Sequence, residues 1–239
     1  MDRFGIGKVG LPGFGVGEFR LPVFGGSGSG NGGQGNAFHE SIVDAWFMSG
    51  YANGDSPASI RGVKGNELQL KNFAFTSESG FGEGAYEGAL VFDGVDDYGI
   101  CTGLPIMTDY TVICRRALEN NANNVVASKS VVAGNGAFIF EYGDNATYSF
   151  SEYTSGLAVN LKDSVSYQTK NSYNGSTITV GNSDDTDTLT LGIIREGDSR
   201  LLEGAIYYFA IYNKSLTPEE IEEEKVKLEQ KWNSKLNKS

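Results

Sequence analysis

The sequence predicts an all-β chain: an antiparallel β-sandwich with an extended N-terminal arm and a C-terminal α-helix. Three observations lead there. Short apolar runs alternate with Gly/Asn/Asp clusters through the middle of the 239 residues. The first 36 residues are crowded with glycine, and one charged segment with apolar residues at helical spacing closes the chain. This length suits one all-β domain with appendages.

The arm begins with a ten-residue unit written twice, Gly5 to Phe14 and Gly15 to Phe24. Gly5/Gly15, Gly7/Gly17, Leu11/Leu21, Pro12/Pro22 and Phe14/Phe24 are identical at that shift. The unit is too rich in Gly and Pro to fold alone, yet more apolar than a solvated linker. Residues 1–25 therefore read as a docking peptide that orders on a partner in extended form, since a residue before proline is pushed to β or PPII. Its anchors are Leu11, Pro12, Phe14, Leu21, Pro22 and Phe24. A slightly sticky free tail is the plainer alternative. Duplication of the anchor fits a symmetric partner or a homo-oligomer. Residues 26–36 are Gly, Ser, Asn and Gln, a flexible linker whose r.m.s. span is roughly 20 Å.

The body, residues 37–216, contains strand-like runs: Ala89–Phe92, Thr111–Cys114, Val125–Ala127, Ala137–Tyr142, Thr147–Ser151, Thr177–Val180, Thr188–Ile194 and Ala205–Tyr212. Turn clusters separate them, among them Gly134-Asn-Gly136, Asn174-Gly175 and Asn182-Ser-Asp-Asp185. Many short strands with frequent turns indicate a sandwich or jelly roll. The segment 217–239 opens on Thr217-Pro-Glu-Glu220, a capping box with Pro at the first helical position. Ile221, Leu228, Trp232 and Leu236 follow at helical spacing. The expected role of this helix is to pack on the sandwich, with an inter-subunit contact as the alternative.

The net charge is −11, and residues 1–25 carry +1 of it, so the remainder is strongly acidic. Such a chain does not neutralise nucleic-acid phosphates or adhere to anionic membranes. Cys101 and Cys114 each lie in an apolar run and read as buried thiols rather than a bridge. No run approaches a membrane span, and glycines and prolines break up any signal-peptide core. The expectation is a protein made and assembled in the cytoplasm without conventional export.

Three stretches together resemble the laminin G-like, concanavalin A-like jelly-roll superfamily. They are Asp44-Ala-Trp-Phe-Met-Ser-Gly-Tyr-Ala-Asn53, Gly88-Ala-Leu-Val-Phe-Asp-Gly-Val-Asp-Asp-Tyr98, and Gly204-Ala-Ile-Tyr-Tyr-Phe-Ala-Ile-Tyr-Asn-Lys-Ser-Leu-Thr-Pro-Glu-Glu-Ile221. The middle stretch is similar to the family's hairpin, and the last to its closing strand and short helix. The similarity spans about residues 40–230. It implies a scaffold that binds glycans or proteins, and in some members calcium through rim loops. Asp93, Asp96 and Asp97 offer one such carboxylate turn, and Asp184, Asp185 and Asp187 a second candidate loop. Both also read as ordinary solvated turns. No other cofactor is called for.

Glycosidase relatives of this fold use paired carboxylates alternating on a strand. Glu141 runs into a turn and Glu152 stands alone, so that pattern is missing. His39 is the only histidine and cannot build a zinc site, and no phosphate-binding loop is present. The expectation is a protein without catalytic residues. The unexported chain, the docking repeat and the resemblance together point to a bacteriophage virion structural protein, a fibre or head decoration. Residues 1–25 would dock on capsid, portal or tail proteins, and the jelly roll would contact host-surface polysaccharide or neighbouring subunits. The alternative is a stand-alone carbohydrate-binding module of a bacterial surface system. For either, Tyr142, Tyr148, Tyr153 and Tyr173 are the candidates for stacking on sugars.

Overall fold

The computed structural model describes residues 37–119, 124–132, 135–143 and 145–237. The docking repeat with its anchors Leu11 to Phe24, and the linker, lie outside the described residues.

Among the described residues, sixteen strands and one α-helix follow one another. The first six are β1 (Ile42–Phe47), β2 (Ser59–Arg61), β3 (Glu67–Lys71), β4 (Gly80–Phe81), β5 (Leu90–Asp93) and β6 (Tyr98–Cys101). Then come β7 (Thr111–Leu118), β8 (Val125–Val132), β9 (Asn135–Tyr142), β10 (Ala146–Ser149) and β11 (Glu152–Thr154). The last are β12 (Ser164–Thr169), β13 (Ser172–Tyr173), β14 (Ser176–Thr177), β15 (Leu189–Leu191), β16 (Glu203–Tyr212) and α1 (Pro218–Leu236). They form two eight-stranded antiparallel sheets. Sheet A has the order β14-β13-β12-β7-β16-β5-β4, with β1 also on β16, and sheet B the order β11-β10-β9-β8-β15-β6-β3-β2. The all-β sandwich expected from the sequence is the architecture observed.

β16 organises sheet A. One edge pairs with β7 along its length, and the other pairs end to end with β5 through Glu203–Ile206 and with β1 through Tyr208–Tyr212. A bulge between Ile206 and Tyr208 resets the alternation of its side chains. Ile206, Phe209 and Ile211 enter the core between the sheets, with Trp46, Phe92 and Phe140. Tyr207, Tyr208, Ala210 and Tyr212 enter a second core on the far side of sheet A. With both faces covered, every residue from Gly204 to Tyr212 is buried.

Helix α1 covers that outer face. Thr217 Oγ1 accepts from the Glu220 amide at 3.2 Å and Glu220 returns the contact to the Thr217 amide at 2.8 Å. Ile221, Leu228 and Trp232 are buried against sheet A. Each contributes roughly 1.5–3 kcal/mol of burial. Glu224 shares the buried face and is satisfied by the Tyr212 hydroxyl (2.9 Å), the His39 amide (3.0 Å) and Lys227. Tyr208 donates to Glu229 at 2.9 Å, and the Arg115 guanidinium lies over the rings of both Tyr207 and Trp232. The helix thus packs on its own sandwich, as the first of the two sequence readings has it. It is not long and apolar enough to cross a membrane.

Two local expectations change. Of the run Thr177–Val180 only Thr177 lies in a strand, β14: the Ile178 amide still reaches the Asn171 carbonyl at 3.0 Å, but the Thr179 amide leaves the ladder for Thr154 Oγ1 at 2.8 Å. Strand β12, Ser-Val-Ser-Tyr-Gln-Thr, is too polar to stand out in the sequence. Its Ser166 and Gln168 are buried because they serve other polar groups: Ser166 accepts from Arg116, and Gln168 donates to Tyr110 and to the Tyr148 carbonyl. Cys101 and Cys114 are free and buried, and burial pushes the Cys101 thiol up to about 11.

Candidate functional site

Strands β9, β10 and β11 form one end of sheet B, and their register sets the site. On β10, Tyr148 stands opposite Ile139 of β9 and Tyr153 of β11. A bulge between Ala146 and Tyr148 gives it that place. The turn from β10 to β11 is Phe150-Ser151, both with positive φ (45° and 68°), the two-residue geometry that follows strand twist. A bulky residue resists that conformation. Phe150 is held in it by burial against Tyr110 (centroids 5.9 Å apart) and by the Lys170 ammonium 5.0 Å from its ring.

The result is a row of three tyrosines. Tyr142 meets Tyr148 edge to face at 5.5 Å, and Tyr148 meets Tyr153 at 5.1 Å. Tyr142 and Tyr148 are part-buried, and Tyr153 is 46% exposed. Burial raises the Tyr148 hydroxyl above its ordinary pKa, so this central ring is neutral at physiological pH. Beside Tyr142 and Tyr148 opens a cleft of about 100 Å³ with Phe138, Ile139 and Ile194 as its apolar walls and Ser151 among its hydroxyls. Arg195 and Arg200 complete the lining. Arg200 donates to the Tyr142 hydroxyl at 2.9 Å and clasps Asp198 through Nε and Nη2, each at 2.8 Å. The Arg200 contact holds the Asp198 carboxyl below its ordinary range. Such a surface combines aromatic faces, apolar walls, hydroxyls and fixed donors, the set with which proteins bind the faces and substituents of sugars.

Nothing in the sequence singled out the two arginines. The loop Arg195-Glu-Gly-Asp-Ser-Arg200 carries no recognisable motif, and only the fold brings it beside a tyrosine 58 positions away.

Tyr173 corrects the expectation for the fourth tyrosine. It is 2% exposed, packs on Phe140, and donates to Glu141 Oε1 at 2.7 Å, so it presents no face to a sugar. The candidate cation loop at Asp184, Asp185 and Asp187 is corrected as well. Asp185 turns inward, where its Oδ2 accepts from Lys129 Nζ at 2.6 Å and the Met107 amide at 2.8 Å, while Asp184 and Asp187 face solvent. The Lys129 ammonium, also held by the Pro105 and Thr186 carbonyls, already supplies the positive charge there. Among the described residues one carboxylate group does converge: Asp93, Asp96 and Asp97, with oxygens within 4.8 Å. Asp93 Oδ1 accepts from the Val95 and Asp96 amides, and Asp97 from Ser79 (3.0 Å) and the Asp93 amide (3.1 Å), while the Asp96 side chain is exposed. That is turn chemistry.

Of the two carboxylates weighed for catalysis, Glu141 is fully buried and clamped by Arg116, while Glu152 is exposed at the β11 edge. They do not flank a common cleft: neither lines the one beside the tyrosines.

No protein-family model matches the chain, and no curated protein matches it. Solved structures do. A sialidase of Trypanosoma rangeli superposes with a TM-score of 0.53 at 11% identity, over 81% of this chain and 33% of the sialidase. A botulinum neurotoxin type C structure, from work on its interaction with two ganglioside molecules, gives 0.52 at 13% identity. That match covers 82% of this chain and 52% of the toxin chain. The receptor-binding domain of a botulinum neurotoxin C/D mosaic gives 0.51 at 13% identity, over 80% and 52%. The likeness is one of fold. The chain spans about a third of the sialidase and about half of the toxin chains.

Proposed function

We propose that this chain is a non-enzymatic glycan-binding protein whose jelly roll contacts sugars through Tyr142, Tyr148 and Tyr153. The observation that carries the reading is the continuous tyrosine row beside a lined cleft at an accessible sheet end. Stacking on a pyranose face needs flat aromatic surface held rigidly, and each ring here is fixed by its neighbour. The neurotoxin neighbours, named for ganglioside and receptor contact, and the sialidase, solved in complex with 2,3-difluoro-KDN, lend support at the level of fold.

Within that reading the chain is a bacteriophage virion component, a fibre or head decoration, mounted by residues 1–25 and assembled in the host cytoplasm. The duplicated Leu-Pro-x-Phe unit supports a mounting role on a symmetric acceptor or a homo-oligomer. Burying six such anchors at roughly 1.5–3 kcal/mol for each Leu or Phe would offset the cost of ordering the arm. A free-standing binding module of a bacterial surface system shares the same sugar site and differs only in the arm.

Two measurements test the proposal. A bacterial polysaccharide array probed with full-length protein should show binding that Tyr148→Ala and Tyr153→Ala remove. Silence of the native protein across capsular and O-antigen glycans would sink the glycan reading. A pull-down with immobilised residues 1–25 should recover capsid, portal or tail proteins and lose them when Phe14 and Phe24 become Ala. Recovery unchanged by those substitutions, or absent from the start, would leave the free-standing module.

A further inference from the structure

We infer that the glycan recognised at the tyrosine row is acidic, and that its carboxylate enters the cleft that Arg195 and Arg200 line. The inference rests on the proposed sugar site and adds its ligand class.

Charge comes first. The chain carries a net −11, yet the cleft lining contains two guanidinium groups and no carboxylate. The acids of the same loop, Glu196 and Asp198, do not line the cleft. Asp198 lies behind the arginines, its side chain 5% exposed against 31% for Arg195 and 32% for Arg200. Glu196 accepts from the Tyr98 hydroxyl at 2.9 Å. An acidic surface that concentrates part-buried guanidiniums in one concavity is arranged for an anion.

Geometry comes second. Asp198 holds Arg200 through Nε and Nη2, and the Tyr142 hydroxyl holds Nη1. A guanidinium has five N–H donors, so part of this fork stays uncommitted while its plane is fixed. Arg195 approaches Asp198 at 3.3 Å and completes a pair of cations around one acid. The cleft excess is therefore positive, and one of its two guanidiniums is already oriented.

Size comes third. The cleft is small, about 100 Å³, and suits a substituent such as a carboxylate or an acetamido group. The ring would lie outside, across Tyr148 and Tyr153, with its charged substituent directed into the cleft. Charge-assisted bonds to a carboxylate are shorter and stronger than neutral ones, so they set selectivity while the tyrosines supply contact area.

The test uses full-length protein and matched oligosaccharide pairs that differ only in charge. These are tetragalacturonate, sialyllactose and a hyaluronan tetrasaccharide, the first two with their carboxyl methyl esters and the third with its carboxyl-reduced form. Titration calorimetry at low salt should show at least one acidic member binding on the order of tenfold tighter than its neutral twin. The difference should shrink as salt rises and vanish in Arg195→Gln, which leaves the Arg200–Asp198 clasp intact. Arg200→Gln, checked for folding by circular dichroism, should have the same effect. Equal binding of acidic and neutral twins, still dependent on Tyr148, would overturn the charge inference and leave the sugar site standing. Failure of every pair to bind would remove both.

Discussion

Arg116 on sheet A and Glu141 on sheet B join across the inside of the sandwich, Nε and Nη2 each 2.6 Å from a carboxylate oxygen, with both side chains fully buried. Tyr173 adds a third contact to Glu141, and Ser164 and Ser166 accept from the remaining guanidinium edge. Glu141 adopts a positive φ of 52°, at the end of the strand that also carries Tyr142. A bidentate pair with its other positions satisfied is the arrangement in which a buried charge is tolerated.

Removing one partner leaves the other charge buried. Arg116→Met or Glu141→Leu alone should cost about 3–5 kcal/mol, measured by denaturant unfolding. The double variant should recover much of that loss, because an apolar pair leaves no orphaned charge. A double variant as unstable as the sum of the singles would mean that the pair is not coupled.

Tyr173 separates stability from binding. Tyr173→Phe removes a hydrogen bond to a charged carboxylate and should lower stability by about 1.5–3 kcal/mol. Glycan binding should be unchanged, whereas Tyr148→Ala should abolish binding with little loss of stability. Loss of sugar affinity in Tyr173→Phe with the fold intact would contradict the buried position described above.

Asp97 should make stability depend on pH. Burial is the largest influence on its carboxyl and, opposed by the Ser79 and Asp93 hydrogen bonds, raises it from 3.8 to about 6. The folded pKa exceeds the unfolded one, so the native state binds the extra proton. Its contribution is full below about pH 4 and is lost as pH rises toward 6. In Asp97→Asn that component of the slope should disappear between pH 4 and 6, even though the substitution costs one backbone contact. An unaltered slope would show that another group titrates there.

Trp232 should hold the helix to sheet A. Its ring meets Tyr207 edge-on at 5.8 Å, its indole donates to the Gly88 carbonyl at 2.9 Å, and Arg115 covers its face. Trp232→Ala should cost about 3–5 kcal/mol and expose the segment after Thr217 to limited proteolysis. Protection equal to the native chain would place the docking energy in Ile221 and Leu228 instead.

Much of this molecule is local chemistry. The capping box at Thr217 and Glu220, the Asp93-Gly94 turn and the runs that became β5, β7, β9 and β16 are legible because each depends on residues within a few positions. Strand β12 escaped because its polar residues are buried for partners far along the chain, as Gln168 is beneath Tyr110. The bulge at Tyr207 also has no sequence signature, although it decides which side chains of β16 face the sheets and which face the helix.

The candidate site divides the same way. Sequence by itself determined a β-sandwich with a capped terminal helix, and it marked Tyr142, Tyr148, Tyr153 and Tyr173 as aromatic residues able to meet a sugar. Tertiary structure decided that the first three line one accessible sheet end, that Tyr173 lies inside against Glu141, and that Arg195 and Arg200 stand beside Tyr142. The physical reason is that strand alternation sorts residues onto two faces without saying which face the opposing sheet will cover. Only the packing of sheet on sheet, with the loops it carries, makes that choice.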